Sequence, residues 1–283
     1  MKKVILFDLY DTIVKDVSFS VQQSFQWLYE IYFKEVCTWE AFETHKEVYS
    51  PLYAKRTVDH SEVHFMRDEV IKIFEHFKVI FPEDLDDLEY CLMNQMQQET
   101  VLEDVKETLA ALQANGIGMY ILSNSIFSGK ATKRLLEEFD VLKYFNKVFV
   151  SADYGIRKPH PGFFKMAVEV IQKDYPDVQM ENILFVGNDY RTDVEGAVTA
   201  GLDTAWYNVA KELDEKGIST YSIESVFKTN YQEDTKITRL ADKRHLLQQM
   251  VETDSCLSIG NKLYHFECES NTSNGIIAIR MFQ

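Results

Sequence analysis

Four groups of polar residues, each at the end of an apolar run, carry what chemistry this sequence has. Val4-Ile5-Leu6-Phe7 stops on Asp8, with Asp11 and Thr12 just beyond. A carboxylate in that position can act as a nucleophile, because it is ionised at neutral pH and forms an acyl-phosphate or an alkyl ester that water later breaks. Gly118-Met119-Tyr120-Ile121-Leu122 leads into Ser123-Asn124-Ser125, and Lys147-Val148-Phe149-Val150-Ser151 precedes Arg157-Lys158-Pro159. Ile183-Leu184-Phe185-Val186-Gly187 runs into Asn188-Asp189-Tyr190-Arg191-Thr192-Asp193. Taken singly, each ending has an ordinary structural explanation as a strand-end turn or an acidic first helical turn. Together they supply a nucleophilic acid, hydroxyls that bind an oxyanion, a point charge on Lys158 and a second set of hard oxygen donors. Pro159 holds the backbone extended and keeps Lys158 out of the helix that follows, while Arg157 beside it reads as an exposed cation rather than as a second clamp.

The elements that must position these groups are strands and helices in alternation. Apolar runs without polar alternation suit parallel strands covered on both faces, and ligands of such sheets sit at the carboxyl ends of the strands. Glu103 and Asp104 open a helix with Val105, Leu109 and Leu112 on its apolar face, and Gly116 fits its stop. Further helices are expected over residues 131–139, 162–173 and 192–200, and a last strand over 203–207. The fold class expected is α/β, a three-layer parallel sheet with right-handed crossovers.

The order and spacing of these motifs resemble the haloacid dehalogenase-like hydrolase superfamily over roughly residues 1–228. The resemblance implies a Rossmann-like core built from residues 1–17 and 99–228, with an inserted helical cap. It implies Asp8 as the nucleophile, Lys158 as the catalytic cation, and Tyr10, Thr12, Ser123 and Asn124 against the substrate. It also implies Mg²⁺, held by Asp8, the backbone carbonyl of Tyr10 and the acidic fourth motif, within which Asn188, Asp189 and Asp193 are the candidates. Which of Asn188 and Asp189 faces the ion is left open by the motif. Tyr10 is a departure: phosphatases of the superfamily have a second Asp there, whereas the haloacid dehalogenases have Tyr. Asp11, where the family usually has Gly, reads equally as a replacement acid/base and as a loop carboxylate. The expectation is therefore a Mg²⁺-dependent phosphatase of a small phosphomonoester, with a metal-free 2-haloacid dehalogenase and a catalytically weak binding protein as alternatives.

From about residue 18 to 98 the chain is rich in aromatic residues at helical spacing, such as Phe25, Leu28, Tyr29 and Tyr32, and has no glycine. That pattern predicts an all-helical bundle with an aromatic core. His60 and His64 stand four apart, but without the glutamate or third ligand of a helical metal motif they read as structural. Residues 229–283 read as a charged helix near 242–251 and a β-hairpin formed by 262–267 and 276–281. A formal net charge of −15 over 283 residues argues against nucleic acid or an anionic membrane as partner. Cys37, Cys91, Cys256 and Cys268 lack metal or redox spacing, and with no apolar leader or span the expected location is cytoplasmic.

Overall fold

The computed structural model describes residues 2–82, 84–103 and 105–207, and beyond them the backbone of Cys256–Ile259, Lys262–Asn271 and Ile276–Phe282. In chain order the strands are β1 (Val4–Phe7), β2 (Val14–Phe19), β3 (Gln97–Val101), β4 (Gly118–Ser123), β5 (Lys147–Val150), β6 (Ile183–Gly187) and β7 (Asp203–Trp206), then β8 (Cys256–Ile259), β9 (Lys262–Asn271) and β10 (Ile276–Phe282). The main sheet runs β5-β4-β1-β6-β7-β10-β9-β8, and its first five strands are parallel. β1 is central. Val4 pairs with Gly118 on one side and Ile183 on the other, and Phe7 with Ile121 and Val186.

All four residues of β1 are buried, and their side chains alternate between two cores. Ile5 and Phe7 join Val105, Leu109, Leu112, Leu136 and Phe145 on one face, while Val4 and Leu6 join Phe163, Phe164, Ala167, Ile171 and Phe185 on the other. Helices therefore cover both faces, which is why the run could dispense with polar alternation. The first face is covered by α6 (Val105–Ala114) and α7 (Gly129–Glu138), the second by α9 (Pro161–Asp174) and α10 (Gly196–Thr199); α8 (Ser151–Tyr154) follows β5 directly. Gly116 ends α6 in the left-handed region at φ +73°, and Ile117 N–H bonds back to the Leu112 carbonyl at 3.1 Å.

Between β2 and β3 the chain is helical: α1 (Val21–Leu28), α2 (Trp39–Lys46), α3 (Ser50–Val58), α4 (Ile71–Phe77) and α5 (Leu85–Met96), with wide π turns over Tyr29–Phe33 and Met66–Val70. Its core is aromatic, as the spacing predicted. Phe33 and Phe74 meet edge-on at 4.9 Å, Phe25 and Phe65 at 5.6 Å, and the cluster continues onto Phe127, Ala131 and Leu135 of the sheet-bearing part. The ends of the stretch are strand, however: β2 and β3 form an antiparallel two-stranded ribbon in which Asp16 stands opposite Glu99. The polar sequence Gln97-Gln98-Glu99-Thr100 carried no strand signal, because it is long-range pairing with β2 that makes it a strand.

The expected hairpin is present, with Ile276 opposite Asn271 and Phe282 opposite His265. It is joined by β8, which the sequence did not foreshadow, and β10 extends the main sheet by a parallel pairing of Ile276 with Thr204. The helix expected near 242–251 lies outside the described residues.

The helical insert is tied to α7 by one buried acid. Glu89 of α5 accepts from the Ser128 backbone N–H at 2.8 Å and from its hydroxyl at 2.6 Å, at the N-cap of α7. Glu89→Ala strands a buried donor pair, so it should lower the unfolding free energy by about 2–3 kcal/mol with an unchanged urea m-value, and Glu89→Gln should lose less.

Candidate active site

The strand order reverses at β1 and β6, which places a crevice over their carboxyl ends. Asp8 lies there, 6 % exposed, its N–H on the Val186 carbonyl at 2.8 Å. Lys158 Nζ donates to Asp8 Oδ1 and to Asp193 Oδ1, both at 2.6 Å. Thr12 Oγ1 donates to Asp8 Oδ2 at 3.2 Å and stands 3.5 Å from Asn188 Oδ1. The first, third and fourth motifs thus converge on one lysine.

Lys158 and Asp193 are each 1 % exposed. Burial alone would push the Lys158 ammonium down, but the Asp193 and Asp8 carboxylates outweigh it and hold the group above its ordinary value. Burial and the negative charge of Asp8 push the Asp193 carboxyl up, against the pull of Lys158. Asp193 also accepts the Asp189 N–H through Oδ2 at 3.0 Å, so both of its oxygens are engaged. A Cβ on Gly187 would fall inside the Asp193 carboxyl group, so glycine is needed at the end of β6 for this acid to reach Lys158.

Asn124, expected against the substrate, instead clamps the main chain of Lys158: its Oδ1 accepts the Lys158 N–H at 2.8 Å and its Nδ2 donates to the Lys158 carbonyl at 3.0 Å. Ser123 is fully buried at the end of β4, and its hydroxyl has no hydrogen-bond partner. An orphaned buried hydroxyl is costly, and a ligand oxyanion is the kind of partner it fits.

The fourth motif divides its work. Asn188 turns its amide oxygen toward Thr12, with its backbone carbonyl held by Trp206 Nε1 at 2.8 Å. Asp189 caps the following turn, accepting Thr192 N–H at 2.6 Å and Thr192 Oγ1 at 2.9 Å, and is exposed. Among the described residues no cluster of three or more His, Cys, Asp or Glu side chains could hold a metal. What faces Asp8 across Thr12 is the neutral oxygen of Asn188. These are hard oxygen donors of the kind Mg²⁺ takes, with fewer charges than the sequence led one to expect.

Asp11 is exposed and adopts a left-handed backbone at φ +56°. The turn therefore demands a conformation that glycine takes freely and aspartate tolerates. The Tyr10 phenol accepts from Gln97 Nε2 at 3.0 Å, and burial, with Glu99 nearby, pushes it well above the ordinary tyrosine range. Arg157 is not the exposed cation its sequence suggested. Glu62, from the insert, draws it in: Glu62 Oε2 lies 3.6 Å from Arg157 Nε and accepts Ser151 Oγ at 2.7 Å. Arg56 Nε of α3 lies 2.7 Å from Glu62 Oε1, an ion pair out of line for a hydrogen bond. Neither Glu62 nor Arg56 carried a motif that would have marked it.

A family model described as haloacid dehalogenase-like hydrolase matches residues 2–201. The chain belongs to that family. In sequence it is similar to the Bacillus subtilis putative HAD-hydrolase YfnB, 34 % identical over 90 residues covering 32 % of this chain and 36 % of that one. It is also similar to the pyrimidine 5'-nucleotidase PynA of Streptococcus pneumoniae, 30 % identical over 40 % of this chain and 45 % of that protein, and to phosphoglycolate phosphatase of Escherichia coli K12, 33 % identical over 39 % and 42 %. The matched stretches span less than half the length of these relatives. In fold it is similar to 2-haloacid dehalogenase from Pseudomonas syringae pv. Tomato DC3000, with a TM-score of 0.55 at 21 % identity over 77 % of this chain and 92 % of that one. The parallel sheet with flanking helices is the fold of this family of hydrolases.

Removal of the shared cation should be felt as stability. Lys158→Ala leaves two buried carboxylates without a counter-ion, a loss of about 3–5 kcal/mol. The deficit should shrink as pH is lowered, because protonating the stranded carboxylates relieves their burial. Urea unfolding of wild type and variant across pH 4.5–7.5 reads it.

Proposed function

We propose that this hydrolase is a Mg²⁺-dependent phosphatase of a small phosphomonoester, acting through an aspartyl-phosphate on Asp8. The observation that carries the reading is the setting of Asp8 at the switch point, one oxygen on Lys158 and the other on Thr12, with the partnerless Ser123 hydroxyl at the end of the adjacent strand. An anionic phosphoryl group needs such donors, and the relatives named as a nucleotidase and a phosphoglycolate phosphatase support this choice.

In this reading Asp8 attacks phosphorus and the ester P–O bond breaks. Water then attacks phosphorus, the bond to Asp8 breaks, and phosphate leaves with the carboxylate restored. Lys158 holds the nucleophile in place and offers charge to the phosphoryl oxygens, while Thr12 and Ser123 bind them. Asn124 fixes Lys158 through its main chain. Mg²⁺, when bound, neutralises charge on the phosphoryl group, and Asp8, Asn188 and the Tyr10 carbonyl are the groups that would hold it. We assign the helices between β2 and β3 the role of a cap that selects the substrate.

Tyr10 and Asn188 favour a second reading. Both are neutral where a metal-dependent phosphatase would use acids, and a 2-haloacid dehalogenase needs neither metal nor a proton for departing halide. A panel of phosphomonoesters and 2-haloacids, with Mg²⁺ or EDTA, separates the two. The expected outcome is phosphate release abolished by EDTA and by Asp8→Asn, and reduced about 10²–10³-fold by Lys158→Ala. Asn188→Asp should tighten Mg²⁺ binding in a calorimetric titration, since it adds a charged oxygen ligand. Halide release that persists in EDTA, with no phosphate from any ester, would make the dehalogenase the correct reading.

A further inference from the structure

Cleaving a phosphomonoester at phosphorus leaves an alkoxide or phenoxide that needs a proton, and the water of the second step must lose one. Most acids beside Asp8 are already engaged, and one is exposed. Asp193 is bonded through both oxygens, Asp189 caps a helical turn and Asp11 is exposed. The hydroxyl two residues after the nucleophile, on Tyr10, is a phenol held protonated by burial and Glu99.

The β2–β3 ribbon springs directly from the nucleophile loop and carries a second acid pair. Asp16 and Glu99 are opposite one another in register, so two carboxylates face across neighbouring strands. Like charges in that arrangement repel, and partial burial favours keeping one of them protonated. Gln97 gives Glu99 a direction: its Nε2 donates to the Tyr10 phenol at 3.0 Å and also to Glu99 Oε1. The Glu99 carboxyl is thereby tethered to the side chain two positions from Asp8.

Resting on the phosphatase reading, we propose that Glu99 is the proton donor and acceptor of the catalytic cycle, oriented by Gln97 and Tyr10 and opposed across the ribbon by Asp16. As Asp8 attacks phosphorus, the ester bond breaks toward its oxygen, which takes the Glu99 proton. Glu99 then removes a proton from the water that attacks the aspartyl-phosphate, and the cycle closes with Glu99 protonated and Asp8 free. The electrostatics agree. Burial pushes Glu99 up, Gln97 pulls it down and Asp16 pushes it up again, to about 7, where a group can both give and take a proton. Asp16 is itself raised by burial, then by Asp11 and Asp8, so the ribbon lies within the electrostatic reach of the nucleophile. The titratable groups bearing on Glu99 are Asp16 from β2 and Tyr10 from the loop after β1.

The test uses the full chain with phenyl phosphate and p-nitrophenyl phosphate, whose leaving groups differ in their need for a proton. Wild type should lose kcat/KM above a limb near neutrality, as Glu99 ionises. Glu99→Gln should lower kcat/KM for phenyl phosphate by about 10²-fold, lower that for p-nitrophenyl phosphate much less, and remove the limb, while kcat falls alike on both esters where breakdown of their shared aspartyl-phosphate limits it. Asp16→Asn takes away the charge that raises Glu99, so the limb should move to lower pH, a shift that a merely structural residue would not cause. Equal losses of kcat/KM on both esters in Glu99→Gln, or a limb unmoved in Asp16→Asn, would overturn the assignment while leaving the phosphatase reading intact. Wild type that frees phosphate from neither ester with Mg²⁺ present would overturn both.

Discussion

A lysine held away from water between two carboxylates is the constraint on which the rest of this site depends. An ammonium that is 1 % exposed is tolerated only with its charge met on the spot, and Asp8 meets it from just past β1 and Asp193 from the turn after β6. That requirement reaches outward through the fold. β1 and β6 must be neighbours in register, Gly187 must lack a side chain, and the loop after β5 must carry Lys158 back across β4, where Asn124 grips its backbone. The parallel sheet can be seen as the frame that brings three distant stretches of chain to a single ion triplet.

Much of this was legible in the sequence, for a simple reason. The core strands are uninterrupted apolar runs, and Asp8 and Ser123 sit at their ends, while Lys158, beyond α8, was placed through the family resemblance of its motif. The divisions of labour within each motif were not legible. Asn124 stands beside Ser123 in sequence, yet it bonds the main chain of a residue on another loop. Asn188 and Asp189 are adjacent, and only the trajectory of the chain after β6 decides which faces Thr12 and which caps a turn. Glu62, Gln97 and Glu99 lie in polar stretches of ordinary composition. Their partners come from remote segments, and no window of neighbouring residues contains that information.

The site is also less charged than its resemblance implied. A neutral amide stands near Asp8, the Tyr10 phenol is taken up by Gln97, and one acid of the fourth motif is shared between Lys158 and the Asp189 N–H. Family membership fixes the architecture, while these two neutral side chains are the positions at which the sequence departs from the pattern of the metal-dependent phosphatases it resembles. One superfold hosts several reactions by such small exchanges at the strand ends.

The contact made by Glu62 bears on how the insert can move. Two strands of the ribbon connect the insert covalently to the sheet, and a two-stranded ribbon alone would act as a free hinge. The chain around Glu62 adds an attachment on the side of the lysine loop, beyond the Glu89–Ser128 tie to α7. The Glu62 N–H bonds to the Gly155 carbonyl at 2.9 Å, the Arg157 N–H to the His60 carbonyl at 3.0 Å, and the acid between them is fully buried under two guanidinium groups. Any swing of the insert must undo this clasp, and the stretch of chain it would tug on is the one that carries the lysine.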